Sequence, residues 1–171
     1  MRFLKLAVIS FIILFAVITA IGLMFPSTVS VSRAIEVSAP KDTIYKYLSD
    51  VKYWKLWMMS ADTNTITFES AKTAGTGTVA KIGTGEVTIT RTTSDSIYTV
   101  WKSEKGNVQN SGFTILPHLK DSGFTVQWYF QQKLNWYPWE RFASLANDKI
   151  LGPVMEQSFD RLKKILDAKN N

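Results

Sequence analysis

The sequence predicts an α+β fold: a curved antiparallel sheet of about seven strands wrapped around a long C-terminal helix, preceded by one transmembrane helix. Three observations predict it. An uncharged apolar run fills residues 6–25, short segments that alternate apolar and polar residues fill the middle of the chain, and a helical apolar stripe ends it. Because a chain of 171 residues suits one domain plus an appendage, we divide it into residues 1–26 and 27–171.

Residues 1–26 are predicted to be a cytoplasmic stub and a membrane anchor. The 20 residues from Leu6 to Phe25 carry no charge and span ~30 Å as a helix, which is the thickness of a hydrocarbon core. The alternative is a cleaved signal peptide with a small-residue site at residues 20–22, but the apolar run continues beyond that site. We therefore expect an uncleaved anchor whose partner, through residues 6–25, is the lipid bilayer.

The orientation of this anchor follows from the charges that flank it. Arg2 and Lys5 precede the apolar run and the next charged residue is Arg33, so the N-terminus stays in the cytoplasm. The domain is then periplasmic or extracellular, and we expect a single-pass protein of a bacterial inner membrane. If the first strand starts near Val29, about three residues, ~10 Å when extended, separate the domain from the bilayer.

The first elements of the domain are predicted from local patterns. Residues 29–37 alternate with period two, which indicates a half-buried strand that ends before Pro40. A short helix is predicted over residues 41–49, and Asp50 caps a second short helix. Six short strands separated by turn residues follow between residues 66 and 130, which predicts an antiparallel meander.

The end of the chain is predicted to be one long helix packed on the sheet. Gly152 and Pro153 lie within this helical pattern, and so they either kink the helix or mark its start. The apolar stripe steps by three or four residues and consists of Leu151, Met155, Phe159, Leu162 and Leu166.

Composition and motifs exclude several kinds of site. The chain has no Cys, which rules out disulfides, thiolate nucleophiles and Cys-containing zinc sites, and His118 is its one histidine. We predict no metal site, because no acidic residue shows ligand spacing to His118. We also predict no cofactor, because the segment 75–80 fits G-x-G-x-x-A but is followed by more turn residues rather than a helix. The net charge is +6, but the basic residues are interspersed with acidic ones and do not form a basic patch, so we predict no nucleic-acid binding.

Aromatic residues give the strongest indication of function. An apolar ligand cavity is predicted between the sheet and the long helix, lined by Trp54, Trp57, Phe68, Tyr98, Trp101, Phe113, Trp128 and Phe130. The alternative is that the same rings simply fill the core. A second cluster, of Trp136, Tyr137 and Trp139, is predicted to be a loop that faces the membrane interface, or else a structural corner that caps the sheet.

Two segments of the domain resemble a known family. VSRAIEVSAPKDTIYKYLSDVKYWKLW at residues 31–57 and LGPVMEQSFDRLKKIL at residues 151–166 resemble the SRPBCC superfamily, also called START-like. Within that superfamily they resemble the membrane-anchored bacterial polyketide cyclase/dehydrase branch. The resemblance covers about residues 29–168 and implies a helix-grip fold. The middle of the chain departs most, with GTGTVAKIGTG at residues 75–85 in place of the usual Gly-rich turn.

These observations leave functions of different classes open. The first is a membrane-anchored, extracytoplasmic and non-catalytic module that binds a small hydrophobic ligand or lipid. The second is a polyketide cyclase/dehydrase-like enzyme that acts in the same cavity, as the resemblance implies, and the third is a structural accessory of an envelope complex. The sequence shows no nucleophile, metal cluster or cofactor loop, which favours the binding module.

Overall fold

The computed structural model describes residues 2–58, 66–104, 106–118 and 123–168. Its helices are α1 (Arg2–Leu23), α2 (Lys41–Ser49), α3 (Trp54–Trp57), α4 (Pro138–Ala143) and α5 (Asn147–Ala168), with 3₁₀ turns at Val51–Tyr53 and Ser144–Ala146. Its strands are β1 (Thr28–Val37), β2 (Ile66–Phe68), β3 (Val79–Ile82), β4 (Gly85–Thr92), β5 (Ser96–Lys102), β6 (Val108–Pro117) and β7 (Phe124–Lys133).

All seven strands form one antiparallel sheet in the order β1-β7-β6-β5-β4-β3-β2. Strands β2 to β7 are neighbours in chain order, as the predicted meander requires. Strand β1 instead pairs with β7 along its whole length, from Thr28 opposite Lys133 to Val37 opposite Phe124. The sheet is curved, and a helical segment of 31 residues, 138–168, ends the described chain and packs on the sheet. The predicted α+β fold is therefore confirmed.

Helix α2 has the bounds that the sequence predicts, and its ends have local causes. Pro40 precedes it with a φ of −57°, which leads directly into a helical turn. The Asp50 side chain then accepts a hydrogen bond from the Lys52 backbone N–H at 3.1 Å and so caps the next turn. The inward face of α2 buries Ile44, Tyr47 and Leu48.

Helix α5 buries the predicted stripe, because Met155, Phe159, Leu162 and Leu166 are all buried. It begins at Asn147, so Gly152 and Pro153 lie inside the helix and do not mark its start.

The glycine at position 152 makes room for the side chain of Arg33. A Cβ atom at this position would lie 2.2 Å from Arg33 Nη2, so any larger residue would displace the guanidinium from where it crosses the helix. Arg33 binds carboxylates on both sides of the crossing, Asp148 at 2.9 Å and Glu156 at 2.6 Å. The glycine and the two ion pairs together fix α5 on the edge strand β1.

Helix α1 is long and apolar enough to cross a membrane, and it alone passes that test among the described residues. Its side chains face outward almost throughout, and Gly22 is its one buried residue. A buried core helix of a water-soluble domain would instead have a covered apolar face.

Candidate ligand site on the inner face of the sheet

Most of the aromatic residues that the sequence singles out meet in one cluster on the inner face of the sheet. Neighbouring rings lie 5.2–6.4 Å apart between centroids. Phe159 of α5 closes the cluster from the helix side, at 5.8 Å from Trp128. The members drawn from the predicted set are Trp54, Trp57, Trp101, Phe113, Trp128 and Phe130.

The deep part of this cluster is packed as a core. Trp54, Trp57 and Trp128 are buried, and each indole N–H has an acceptor. Trp54 donates to the Leu48 carbonyl at 2.9 Å, and Trp57 donates to the Tyr47 carbonyl at 3.3 Å. Rings that contact one another and satisfy their own polar atoms stabilise the fold. In this half of the cluster the filled-core interpretation describes what the rings do.

The other end of the cluster is less covered. Trp101 is only half-buried and stacks on Trp54, with centroids 6.2 Å apart. Cross-strand pairing places Phe68, Ala80, Val87 and Trp101 in one row of the same face. Phe68 lies on the edge strand β2 and is 41% exposed, and no ring contact joins it to the cluster among the described residues. The aromatic surface therefore approaches solvent at the end where Trp101 lies.

Tyr98 does not belong to this surface, and the prediction that it lines the same cavity as Trp101 is wrong. Its neighbours Ile97 and Thr99 are buried, so Tyr98 points to the opposite, convex face of the sheet. There its ring stacks under the Arg91 guanidinium, 4.2 Å from the ring centroid. Tyr98 and Trp101 are three residues apart on one strand, and such residues cannot share a face.

A buried row that includes three hydroxyl groups crosses the inner face beside Trp101, and sequence reasoning missed it. Strand pairing aligns Thr78, Ile89, Thr99, Ser111, Phe130 and Val31, of which Thr78, Thr99 and Ser111 carry the hydroxyls. The hydroxyls of Thr78 and Thr99 have no hydrogen-bond partner among the residues that the structure describes. Ser111, next to Thr99, donates to the Tyr129 carbonyl at 2.6 Å and accepts from the Trp128 indole at 3.1 Å. The available signal was that Thr99 and Trp101 are two residues apart in a strand and so share a face.

Five ion pairs join charged side chains among the described residues. A hydrogen bond from Lys41 lowers the pKa of the Asp95 carboxyl, and a hydrogen bond to Glu69 raises the pKa of Lys81. His118, at the end of β6, contacts the Thr125 hydroxyl at 2.9 Å. Within the described ranges, no three His, Cys, Asp or Glu side chains are placed to hold a metal ion. The segment 75–80 leads into strand β3 and not into a helix.

The second aromatic cluster lies at the start of α4. Trp136 and Tyr137 contact each other at 4.8 Å, and Tyr137 and Trp139 are stacked at 4.9 Å. The two tryptophans are exposed, whereas Tyr137 is half-buried. Two exposed tryptophan rings on either side of a half-buried tyrosine are therefore available for contact with a membrane or a partner.

Comparison with known proteins identifies relatives by structure alone. No family model and no curated protein sequence matches the chain. A protein from Nitrosospira multiformis superposes with a TM-score of 0.62 at 12% identity, over 81% of this chain and 96% of that one. A norcoclaurine synthase point mutant from Thalictrum flavum, in complex with a transition-state analogue, gives 0.65 at 10% identity over 84% and 97%. CalU16 from Micromonospora echinospora gives 0.56 at 12% identity over 80% and 65%.

Proposed function

Because the chain has the helix-grip fold of the SRPBCC superfamily, we propose that it is a membrane-anchored, extracytoplasmic module that binds a small hydrophobic ligand or lipid without transforming it. The observation that carries this proposal is the less covered end of the aromatic cluster. There the half-buried Trp101 lies beside Thr99, whose buried hydroxyl has no protein partner within the described ranges.

The chemistry of this end favours an amphipathic ligand. An apolar body covering Trp101 gains about 25 cal/mol for each Å² removed from water. A buried hydroxyl without a hydrogen bond costs about 1–3 kcal/mol, and a polar group of the ligand that reaches Thr99 Oγ1 removes this cost. The norcoclaurine synthase of the same fold is in complex with a transition-state analogue, so the fold can accept a small organic molecule.

The nature of the nearby groups favours binding over an enzyme of the polyketide cyclase/dehydrase type. The described rows around Trp101 present aromatic and aliphatic side chains, the hydroxyls of Thr78, Thr99 and Ser111, and the amide of Gln109. The carboxylates of Asp95 and Glu69 are paired with lysines at the surface, and the buried Asp50 carboxylate is paired with Lys52. A general acid or base for cyclisation needs an ionisable group close to the ligand.

Native mass spectrometry of the full chain extracted in mild detergent tests the proposal. We expect the wild-type protein to retain a co-purified lipid or other apolar molecule, and Trp101→Ala to lose it. Tyr98→Ala is the matched control, because it removes an aromatic ring from the same strand but from the opposite face. Near-UV circular dichroism establishes that both variants are folded. Equal retention by Trp101→Ala and the wild type would contradict the proposed site.

A second measurement separates binding from catalysis. The bound molecule is extracted, characterised by mass, and incubated again with purified protein. A binding module returns it with the same mass, whereas a cyclase or dehydrase that recognises it as a substrate changes its mass or its chromatographic retention.

A further inference from the structure

We propose that the domain makes a second contact with the bilayer, through a surface formed by α4, the turns on either side of it and the first turn of α5. We call this surface the interfacial patch, and it consists of Trp136, Trp139, Phe142, Leu145 and Ile150. We propose that this patch contacts the lipid headgroups of the leaflet in which α1 ends. This inference rests on the membrane anchoring in the proposed function and concerns a different surface from the ligand site.

The patch consists of large apolar side chains that the protein leaves uncovered. Each of its members is between 39% and 63% exposed. Single exposed apolar residues are normal on protein surfaces, but a run of them along one short helical segment marks an interaction site. Tryptophan is also the residue that favours the boundary between headgroups and hydrocarbon.

The position of α4 beside the anchor identifies the occupant as lipid. Gly22, in the last turn of α1, faces the first turn of α4, and a Cβ atom added to it would lie 3.4 Å from Pro138 Cα. The apolar run continues beyond Gly22, through the end of α1 at Leu23 and the turn that follows, to Phe25. The start of α4 therefore lies alongside the apolar run itself and at the depth where the anchor leaves the membrane. An apolar surface at this depth meets lipid.

Several contacts hold the domain to the end of the anchor. The buried Arg141 donates to the Phe25 carbonyl at 2.6 Å and to the Asn135 carbonyl at 2.8 Å. Its positive charge also lies at the C-terminal end of α1, where the helix dipole is negative. The rings of Phe25 and Phe142 meet edge to face at 5.5 Å.

The strand after the anchor continues this attachment, because the Leu134 N–H donates to the Ser27 carbonyl at 2.8 Å. With contacts on both sides of the short connection, the domain cannot rotate freely on a flexible tether. The interfacial patch is therefore presented at one fixed side of α1, as in amphipathic helices that lie in the plane of the membrane.

Site-directed spin labelling of the full chain tests the patch directly. The natural sequence has no Cys, so each introduced cysteine is the only thiol to be labelled. Leu145→Cys and Ile150→Cys report on the patch, Lys163→Cys on α5 is the exposed control, and Ile13→Cys reports on the anchor. The labelled proteins are reconstituted in vesicles of phosphatidylcholine and phosphatidylglycerol, and collision with oxygen and with a water-soluble nickel chelate is measured.

We expect both patch labels to collide several-fold less with the nickel chelate than the Lys163 label does, and more with oxygen, as lipid-embedded labels do. Collision rates equal to those at Lys163 would overturn the patch. Protection from both reagents would also overturn it, because a protein surface, such as a second copy of this chain, would then cover the residues. A nickel-accessible Ile13 label would refute the anchor itself, whereas a lipid-embedded Ile13 with water-exposed patch labels refutes only the second contact.

Discussion

Two hydroxyl groups on neighbouring strands are expected to have opposite effects on stability. Thr99 on β5 and Ser111 on β6 are paired in the sheet, and both are buried. In the described part of the chain the Thr99 hydroxyl has no hydrogen-bond partner, whereas Ser111 accepts from the indole N–H of Trp128 at 3.1 Å and donates to a backbone carbonyl. Removing each hydroxyl therefore compares an unpaired group with a paired one in almost the same place.

The magnitudes follow from the cost of burying a polar group. Thr99→Val should stabilise the domain by about 1–3 kcal/mol, because that is what an unpaired buried hydroxyl costs in proteins and valine has a similar shape. Ser111→Ala should destabilise it by about 1–3 kcal/mol, because the buried Trp128 N–H loses its acceptor. For a protein of this size, each kcal/mol corresponds to a change in Tm of about 2–4 °C.

Urea unfolding of the full chain in detergent micelles, followed by tryptophan emission, measures both changes in the free energy of unfolding. Thr78→Val provides an independent repeat, since the Thr78 hydroxyl is also buried and unpaired. If Thr99→Val destabilised the domain as much as Ser111→Ala does, the argument about hydrogen-bond partners would be refuted. In the mass-spectrometry assay, a more stable Thr99→Val variant that retains less ligand would show that the unpaired hydroxyl serves binding.

Three further predictions concern the long helix and the topology. Leu162→Ala should lower the free energy of unfolding by about 2–5 kcal/mol, because Leu162 is buried in the middle of the apolar stripe. Lys163→Ala should change it by less than about 0.5 kcal/mol. Similar losses for the two variants would mean that the buried face is misassigned. Gly152→Ala should lower Tm, because its Cβ displaces Arg33. In an Arg33→Ala background the same substitution should raise Tm, because alanine gains about 1 kcal/mol of helix propensity over glycine. A change in Tm of the same sign in both backgrounds would exclude the steric explanation. Alkaline phosphatase fused after Asn171 should be active, and activity of a cytoplasmic reporter alone would reverse the orientation.

The elements of the fold could be predicted because each depends on residues close together in the chain. The bounds of α2, the alternation of β1 and the apolar stripe of α5 all agree with the sequence patterns. Periods of two and of 3.6 residues arise from local backbone geometry and need no knowledge of distant contacts. The fold class followed from the order of these elements and from the resemblance of residues 31–57 and 151–166.

The candidate site was predicted only in part. The sequence correctly singled out rings that meet on the inner face, such as Trp101 and Trp128, but Tyr98 was assigned to the wrong face. The two-residue period of a strand by itself places Tyr98 and Trp101 on opposite faces. No such rule identified which rings would be packed as core and which would stay half-covered.

The sequence by itself determined a membrane-length apolar helix, an antiparallel meander and a long amphipathic helix, because these are set by neighbouring residues. Only the tertiary structure decided which hydroxyls lack partners, why residue 152 is glycine, and where α4 lies relative to the anchor. Each of these depends on strand register or on contacts between distant segments, such as Arg33 with Glu156, 123 residues apart, or Arg141 with Phe25, 116 residues apart. Contacts of that range arise when the whole chain packs, and they leave no periodic trace in the residues that make them.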